Sequence, residues 1–339
     1  MSNYNIPELP LGYELETKAV LKQVNLAGRK LAELNGVART IPNEDILIST
    51  LTLQEAKNSS EVENIVTTQD ELYKAELGLQ ASKIKSAEKE VMNYRNALIF
   101  GYRQVKEQGF LSLNTIKGVQ QRLENNDADI ECYMKNLEQF INDESLCGFD
   151  PLVKMAVLHH QFESIHPFYD GNGRTGRIIL ILYLVLSDLL DLPILYLSRY
   201  ITRNKVEYYR LIQSVRDNDG DNFRQWEEWI IFMLKGVEEA SKQSICLVNG
   251  ISKLMADYKS KLRPVFGRLY RHELLNNLFF HPYTKIEYVK RDMMVSRKTA
   301  TEYLEKIVDM GLLKKKKVGR SNYYINSSLV DLFLNVGKW

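Results

Sequence analysis

A mainly α-helical chain ending in a winged helix-turn-helix is predicted by three observations. Of 339 residues only 18 are Gly and 8 are Pro, so turn punctuation is sparse. Apolar residues recur at three- and four-residue spacing through most of the chain, which is the helical period. Near Arg263-Pro264 the composition changes, and the order becomes helix, helix, short turn, longer helix and two strands around the turn KVGRSN, the order of that module.

The elements follow in sequence. Residues 14–35 read as a first helix ending near Gly36, and IPNEDILISTLTLQEAKNSSEVENI as a turn and a second helix. Residues 70–107 hold one or two long helices, and SLNTIKGVQQRLENN and DADIECYMKNLEQFIND supply two more, each with Asn or Asp near an end. DPLVKMAVLHHQFESI opens on Asp150 as N-cap and Pro151 at N1. A helix over 174–190 contains nine uninterrupted apolar or aromatic residues, Ile178 to Leu186. That run is far short of the roughly 20 residues needed to span a bilayer, so it reads as a buried central helix. Three predicted domains result: an N-terminal helical region (1–90), a helical core (91–262) and the winged helix (263–339).

Composition narrows the class. A hydrophobic share of 45% with 26% charged residues is that of a soluble globular protein, and the net charge of +2 names no partner. Cys132, Cys147 and Cys246 are odd in number and form no CxxC, which argues against disulfides or a cysteine zinc site. The N-terminus has no basic region followed by an apolar run. A cytoplasmic protein is the expectation.

The chemistry concentrates in HPFYDGNGRTGR, residues 166–177. Gly171, Gly173 and Gly176 let backbone approach a ligand, and a helix begins beside them, offering free N–H groups and a positive dipole end to an anion. Asn172 adds neutral donors, and Arg174 and Arg177, three apart, offer guanidinium forks to phosphate oxygens. Asp170 would be repelled by a polyphosphate unless a cation lay between them, and Mg²⁺ commonly takes one or two carboxylates together with phosphate oxygens. His166 is left as a general base, with neighbouring cations favouring its neutral form. A calcium loop would need Glu where Ile181 stands, and a P-loop would need a Lys-Ser/Thr ending. His159, His160 and His166 form no HExxH.

HPFYDGNGRTGR matches HPFx[D/E]GNGRxxR without departure, and with the helices around it the chain resembles the Fic family over roughly residues 10–260. The resemblance implies a Fic-type helical core and transfer of AMP from ATP to a Ser, Thr or Tyr hydroxyl of a target protein or of the chain itself, with release of pyrophosphate. By position it implies His166 as base and Asp170 as Mg²⁺ ligand. Gly171, Asn172, Gly173, Arg174, Gly176 and Arg177 would hold the phosphates, and Asn204 and Tyr208 would border adenine and ribose. SSEVENI (59–65) resembles the family's inhibitory helix motif [S/T]xxxE[G/N] through Ser59, Glu63 and Asn64. Glu63 is then expected to pair with Arg177 and hold resting activity low. Relatives also imply two further features: self-association as a dimer, and a β-hairpin flap where this chain has only NNDAD.

From Lys285 to Arg320 there are eleven Lys/Arg against five Asp/Glu. That excess on a winged helix makes DNA a candidate partner, with Arg297, Lys298 and Thr301 on a recognition helix starting at Ser296. Alternatives to the transferase are a DNA-binding regulator whose core senses nucleotide, and an enzyme that uses another nucleotide or removes AMP.

Overall fold

The computed structural model describes residues 6–76, 86–123, 131–217, 222–318 and 321–335. The mainly α fold stands, with one small sheet. In chain order the first elements are α1 (Lys18–Ala38), α2 (Glu44–Val62), α3 (Gln69–Glu76), α4 (Ser86–Gln108), α5 (Leu113–Leu123) and α6 (Glu131–Asn142). Then come α7 (Pro151–Ile165), α8 (Asn172–Leu186), α9 (Leu197–Arg203), α10 (Lys205–Arg216) and α11 (Phe223–Phe266). The last elements are α12 (His272–Phe280), β1 (Tyr283–Thr284), α13 (Ile286–Met293), α14 (Arg297–Asp309), β2 (Lys314–Val318), β3 (Ser321–Ile325) and α15 (Ser327–Asn335). No described helix is long and apolar enough to cross a membrane. The place where the family's flap is expected, between Asn126 and Asp129, lies outside the described residues.

Two compact units divide the chain. The first comprises Met1–Gly36, Leu51–Val66 and Lys89–Ser244; the second comprises Val37–Thr50, Thr67–Glu88 and Ile245–Trp339. The expected domains were consecutive, whereas the N-terminal region is shared between the units and one boundary falls inside α11 rather than at Arg263. Packing explains the second difference. A Cβ on Gly250 would lie 2.7 Å from Leu332, and the Tyr258 hydroxyl reaches the Leu312 carbonyl (2.7 Å) and Asn326 Oδ1 (2.8 Å), so the second half of α11 is core to the C-terminal unit.

The first unit is built on α7 and α8. Asp150 caps α7 by accepting from the Leu152 N–H at 2.8 Å, and Pro151 fills the first turn where its missing donor costs nothing. Ile178 to Leu182 are fully buried, and burying such apolar side chains stabilises the fold by about 1.5 to 3 kcal/mol each. Gly101 on α4 admits α8: a Cβ there would sit 2.5 Å from Leu182. Trp229 on α11 lies against α7 and donates its indole N–H to the Ala156 carbonyl at 2.8 Å.

The second unit carries a three-stranded antiparallel sheet in the order β1-β3-β2, with Tyr283 opposite Ile325 and Lys315 opposite Tyr324. Ser296 caps α14 by accepting from the Thr299 N–H at 3.1 Å. β1 and α15 were not expected, because a two-residue strand and a short terminal helix carry too little periodicity to register. β2 is an edge strand on which Lys314, Lys315, Lys316 and Lys317 are all exposed. Lysines on an edge also discourage pairing with another chain, so this charge has a structural explanation beside a phosphate-binding one.

Candidate active site

The motif lies where α7 ends and α8 begins. His166 terminates α7 in the left-handed region, φ 49°, with its N–H returned to the Phe162 carbonyl at 3.0 Å. A non-glycine residue held there is uncommon, and functional side chains are often those so held. Phe168, 4% exposed, anchors the following loop, and Asn172 closes it. The Asn172 Oδ1 accepts from the Phe168 N–H at 2.9 Å and its Nδ2 donates to the Phe168 carbonyl at 2.5 Å. Asn172 was expected to offer donors to a phosphate; both ends of its amide instead shape the loop that presents Asp170. Gly171 adopts φ 78° at the start of α8, a conformation that favours glycine.

Arg177 is 2% exposed, and its charge needs compensation at that depth. Its Nε donates to Ser59 Oγ at 2.8 Å, and its Nη2 donates to the Ser59 carbonyl at 2.9 Å and to Glu63 Oε1 at 2.8 Å. Burial works against the guanidinium charge, but Glu63 together with Tyr208, Tyr94 and Glu163 holds the pKa above its ordinary value. Ser59 lies in the last turn of α2, and Glu63 is the first residue past it, held by its N–H to the Ser60 carbonyl at 3.0 Å. Asn64 ends that helix at φ 63°, a conformation Asn tolerates, and accepts from Lys205 Nζ at 2.9 Å. Gly173 makes the ion pair possible: a Cβ there would lie 2.4 Å from Glu63 Oε1 and 3.0 Å from Arg177 Nη1.

Other expected residues are placed differently. Gly176 faces α7, where a Cβ would meet Glu163 Oε1 at 2.7 Å and Phe162 at 3.0 Å, so its missing side chain makes room for that helix. Tyr208 is 1% exposed; its hydroxyl is bonded to His159 Nε2 at 2.9 Å and its ring lies among Trp229 and Phe232. It packs as a core residue. Asn204 donates Nδ2 to the Tyr200 carbonyl at 2.9 Å, across the junction of α9 and α10. The neighbouring Tyr209 is 44% exposed, and burial of the rest of its ring, with Glu63 beside it, raises its hydroxyl pKa. Arg174 donates to Glu90 Oε2 on α4 at 3.1 Å.

Three carboxylates escaped the sequence reading: Glu55, Glu90 and Glu163. Glu55 stands one turn before Ser59 on α2, fully buried, and accepts from the Ser198 N–H at 3.1 Å and from Tyr94 at 3.3 Å. The spacing 55, 59, 63 was a legible signal, since it sets a polar stripe on one helix face. Glu163 is one turn before His166. Its Oε1 is enclosed without a hydrogen-bond partner among the described residues, and burial pushes its pKa up to about 7, with Arg177 opposing.

A linkage follows from Glu163. Its pKa is above the ordinary 4.5 in the folded state, so the native protein holds an extra proton between pH about 4.5 and 7. Stability from this group is complete below that window and falls as pH rises through it. Between pH 5 and pH 8, wild type should lose roughly 2 kcal/mol relative to Glu163→Gln in urea denaturation. Parallel pH profiles for the two proteins would exclude the assignment.

The surroundings of His166 suit a base. Partial burial lowers its pKa first; the Glu163 carbonyl, accepting a ring N–H, raises it, and Arg216 lowers it again, for a net depression below 6.5. A depressed pKa favours the neutral ring, the form that can accept a proton. Asp170 is exposed, and one of its oxygens accepts from the Gly171 N–H at 2.6 Å. Among the described residues no cluster of three His, Cys, Asp or Glu forms a self-sufficient metal cage. A single outward carboxylate fits a hard cation that takes its remaining ligands from phosphate and water.

Comparison with known proteins gives the family and the fold. Residues 21–103 match the Fic/DOC family N-terminal model, 79–184 the Fic/DOC family model, and 254–329 that of the C-terminal domain of SoFic-like protein adenylyltransferase. The chain is 41% identical over 54 residues to protein adenylyltransferase fic-1 of Caenorhabditis elegans, a stretch covering 16% of this chain and only 11% of that protein. A crystal structure of a Fic family protein from Desulfovibrio desulfuricans G20 superposes with a TM-score of 0.53 at 16% identity, covering 91% of this chain and 96% of that one. A Fic domain containing signaling protein from Bacteroides thetaiotaomicron VPI-5482 gives 0.51 at 16% identity over 67% and 97%. These structural likenesses speak to the fold. With an unbroken HPFYDGNGRTGR at the α7–α8 junction and three family models laid along its length, the chain belongs to the Fic/DOC family.

Proposed function

We propose that this protein is a protein adenylyltransferase that moves AMP from ATP to a Ser, Thr or Tyr hydroxyl, and that Glu63 restrains it. The observation that carries the reading is the placement of His166 at the left-handed end of α7, just before the start of α8, where the buried Arg177 is compensated by the Glu63 carboxylate from a remote part of the chain. In the reaction, a neutral ring nitrogen of His166 takes the proton of the attacking hydroxyl. That oxygen forms a bond to the α-phosphorus, and the bond from this phosphorus to pyrophosphate breaks. The free N–H groups at the start of α8, with Arg174 and Arg177, bind the phosphate oxygens on which charge accumulates. Mg²⁺, when bound through Asp170 and phosphate oxygens, would neutralise part of the polyphosphate charge. Glu63 holds the guanidinium that the terminal phosphate requires, so bound nucleotide and the ion pair compete.

Intact mass after incubation with Mg-ATP tests the reaction type. A gain of one AMP on the protein or on an added target supports the reading, whereas a gain of phosphate alone, or of nothing in any variant, overturns it. The matched relatives are much longer proteins, and the target and the oligomeric state belong to the same proposal: a hydroxyl-bearing protein, this chain among the candidates, modified by a dimer in the cytoplasm.

A further inference from the structure

The segment that carries Ser59 and Glu63 is bracketed on both sides by chain that belongs to the other unit. Leu51–Val66 packs in the first unit, while Val37–Thr50 before it and Thr67–Glu88 after it pack with Ile245–Trp339. Upstream the link is stiff, because α2 is one continuous helix from Glu44 to Val62 and its opening residues, 44–50, belong to the second unit. Thr40, Ile41 and Pro42, just before α2, line a cavity of about 370 Å³ with Met255, His272 and Leu275 of that unit. Downstream the link is short: α3 starts at Gln69, six residues after Glu63.

α3 is held firmly. The Thr68 Oγ1 accepts from the Glu71 N–H at 3.2 Å while Glu71 Oε2 accepts from the Thr68 N–H at 3.0 Å, a reciprocal cap that fixes where the helix begins. Tyr73, 1% exposed, stacks on Tyr283 of β1 with ring centroids 5.3 Å apart, and the Tyr283 hydroxyl donates to Asp70, which also pairs with Lys74. β1 is hydrogen-bonded to β3 and β3 to β2, so the winged-helix sheet is continuous with the grip on α3.

We infer that the winged-helix unit controls the inhibitory segment: by gripping the chain on both flanks of Glu63, it sets how readily that carboxylate leaves Arg177. This rests on the reading of Glu63 as the restraining residue. A helix tethered at both ends leaves its partner only as fast as one tether yields, and any ligand or partner that shifts β1 against α3 changes that rate. The hydroxyl of Tyr283 is the most economical point of intervention, since it bonds a charged group and contributes nothing to the apolar packing of its ring.

The test uses the full chain. Tyr283→Phe and Asp70→Asn should each raise AMP incorporation from Mg-ATP about three- to tenfold over wild type. Neither should exceed Glu63→Gly nor add to it when combined. Hydrogen exchange should quicken over residues 55–66, which a purely structural role in the C-terminal unit would not produce. If both variants leave incorporation and exchange over 55–66 at wild-type values while Glu63→Gly is active, the control role falls and the transferase reading stands. If Glu63→Gly is itself inactive, the transferase reading falls, and unchanged exchange over 55–66 in both variants then rejects the grip as well.

Discussion

Glu63→Gly is expected to raise AMP incorporation roughly ten- to a hundred-fold, the effect of deleting one charge-assisted hydrogen bond that competes with the nucleotide. Arg177 is almost wholly buried, and in the resting protein Glu63 is the carboxylate bonded to it at 2.8 Å. Removing that carboxylate leaves the guanidinium to Ser59, whose hydroxyl and carbonyl satisfy donors but carry no formal charge. The variant should therefore be less stable than wild type without nucleotide and gain more stability from ATP, because the terminal phosphate then supplies the missing negative charge. Labelled ATP incorporation and thermal melts with and without nucleotide measure both halves. Incorporation equal to wild type would remove Glu63 from the mechanism.

The second large effect is a loss. His166→Ala in the Glu63→Gly background should reduce the incorporation rate by about 10²- to 10⁴-fold, the contribution typical of a positioned general base. Nucleotide affinity should change little, since the phosphate-binding groups are on α8 and His166 is at the end of α7. Calorimetric titration with Mg-ATP separates the two quantities. Retained turnover would mean that another group accepts the proton, and a large loss of affinity would mean that the imidazole positions the phosphates instead.

Much of the first unit was legible because its signals are local. Asp150-Pro151 announced the start of α7, the apolar run from Ile178 to Leu186 announced a buried α8, and the motif between them lies within twelve consecutive residues. In the C-terminal unit, Ser296 announced α14 by the same capping chemistry. Side chains whose role depends on a remote neighbour were harder to read. Tyr208 has the spacing of a ligand-facing residue, but its burial is set by His159, Trp229 and Phe232, each from another helix. Gly176 looked like part of a phosphate cradle, and only the presence of α7 beside it shows that the missing side chain makes room for Phe162 and Glu163.

What the sequence alone determined is the chemistry of the helix start: a histidine, a carboxylate, glycines and two arginines in unbroken order, fixed by backbone geometry that acts over a few residues. Family resemblance named Glu63 as the partner of Arg177, but the contact itself, between residues 114 positions apart, and the enclosure that makes it matter come only from the tertiary structure. The same holds for the split of residues 37–88 between two units. Capping, periodicity and glycine conformations are short-range effects written into neighbouring residues, whereas burial and ion pairing are decided by whatever the fold brings alongside.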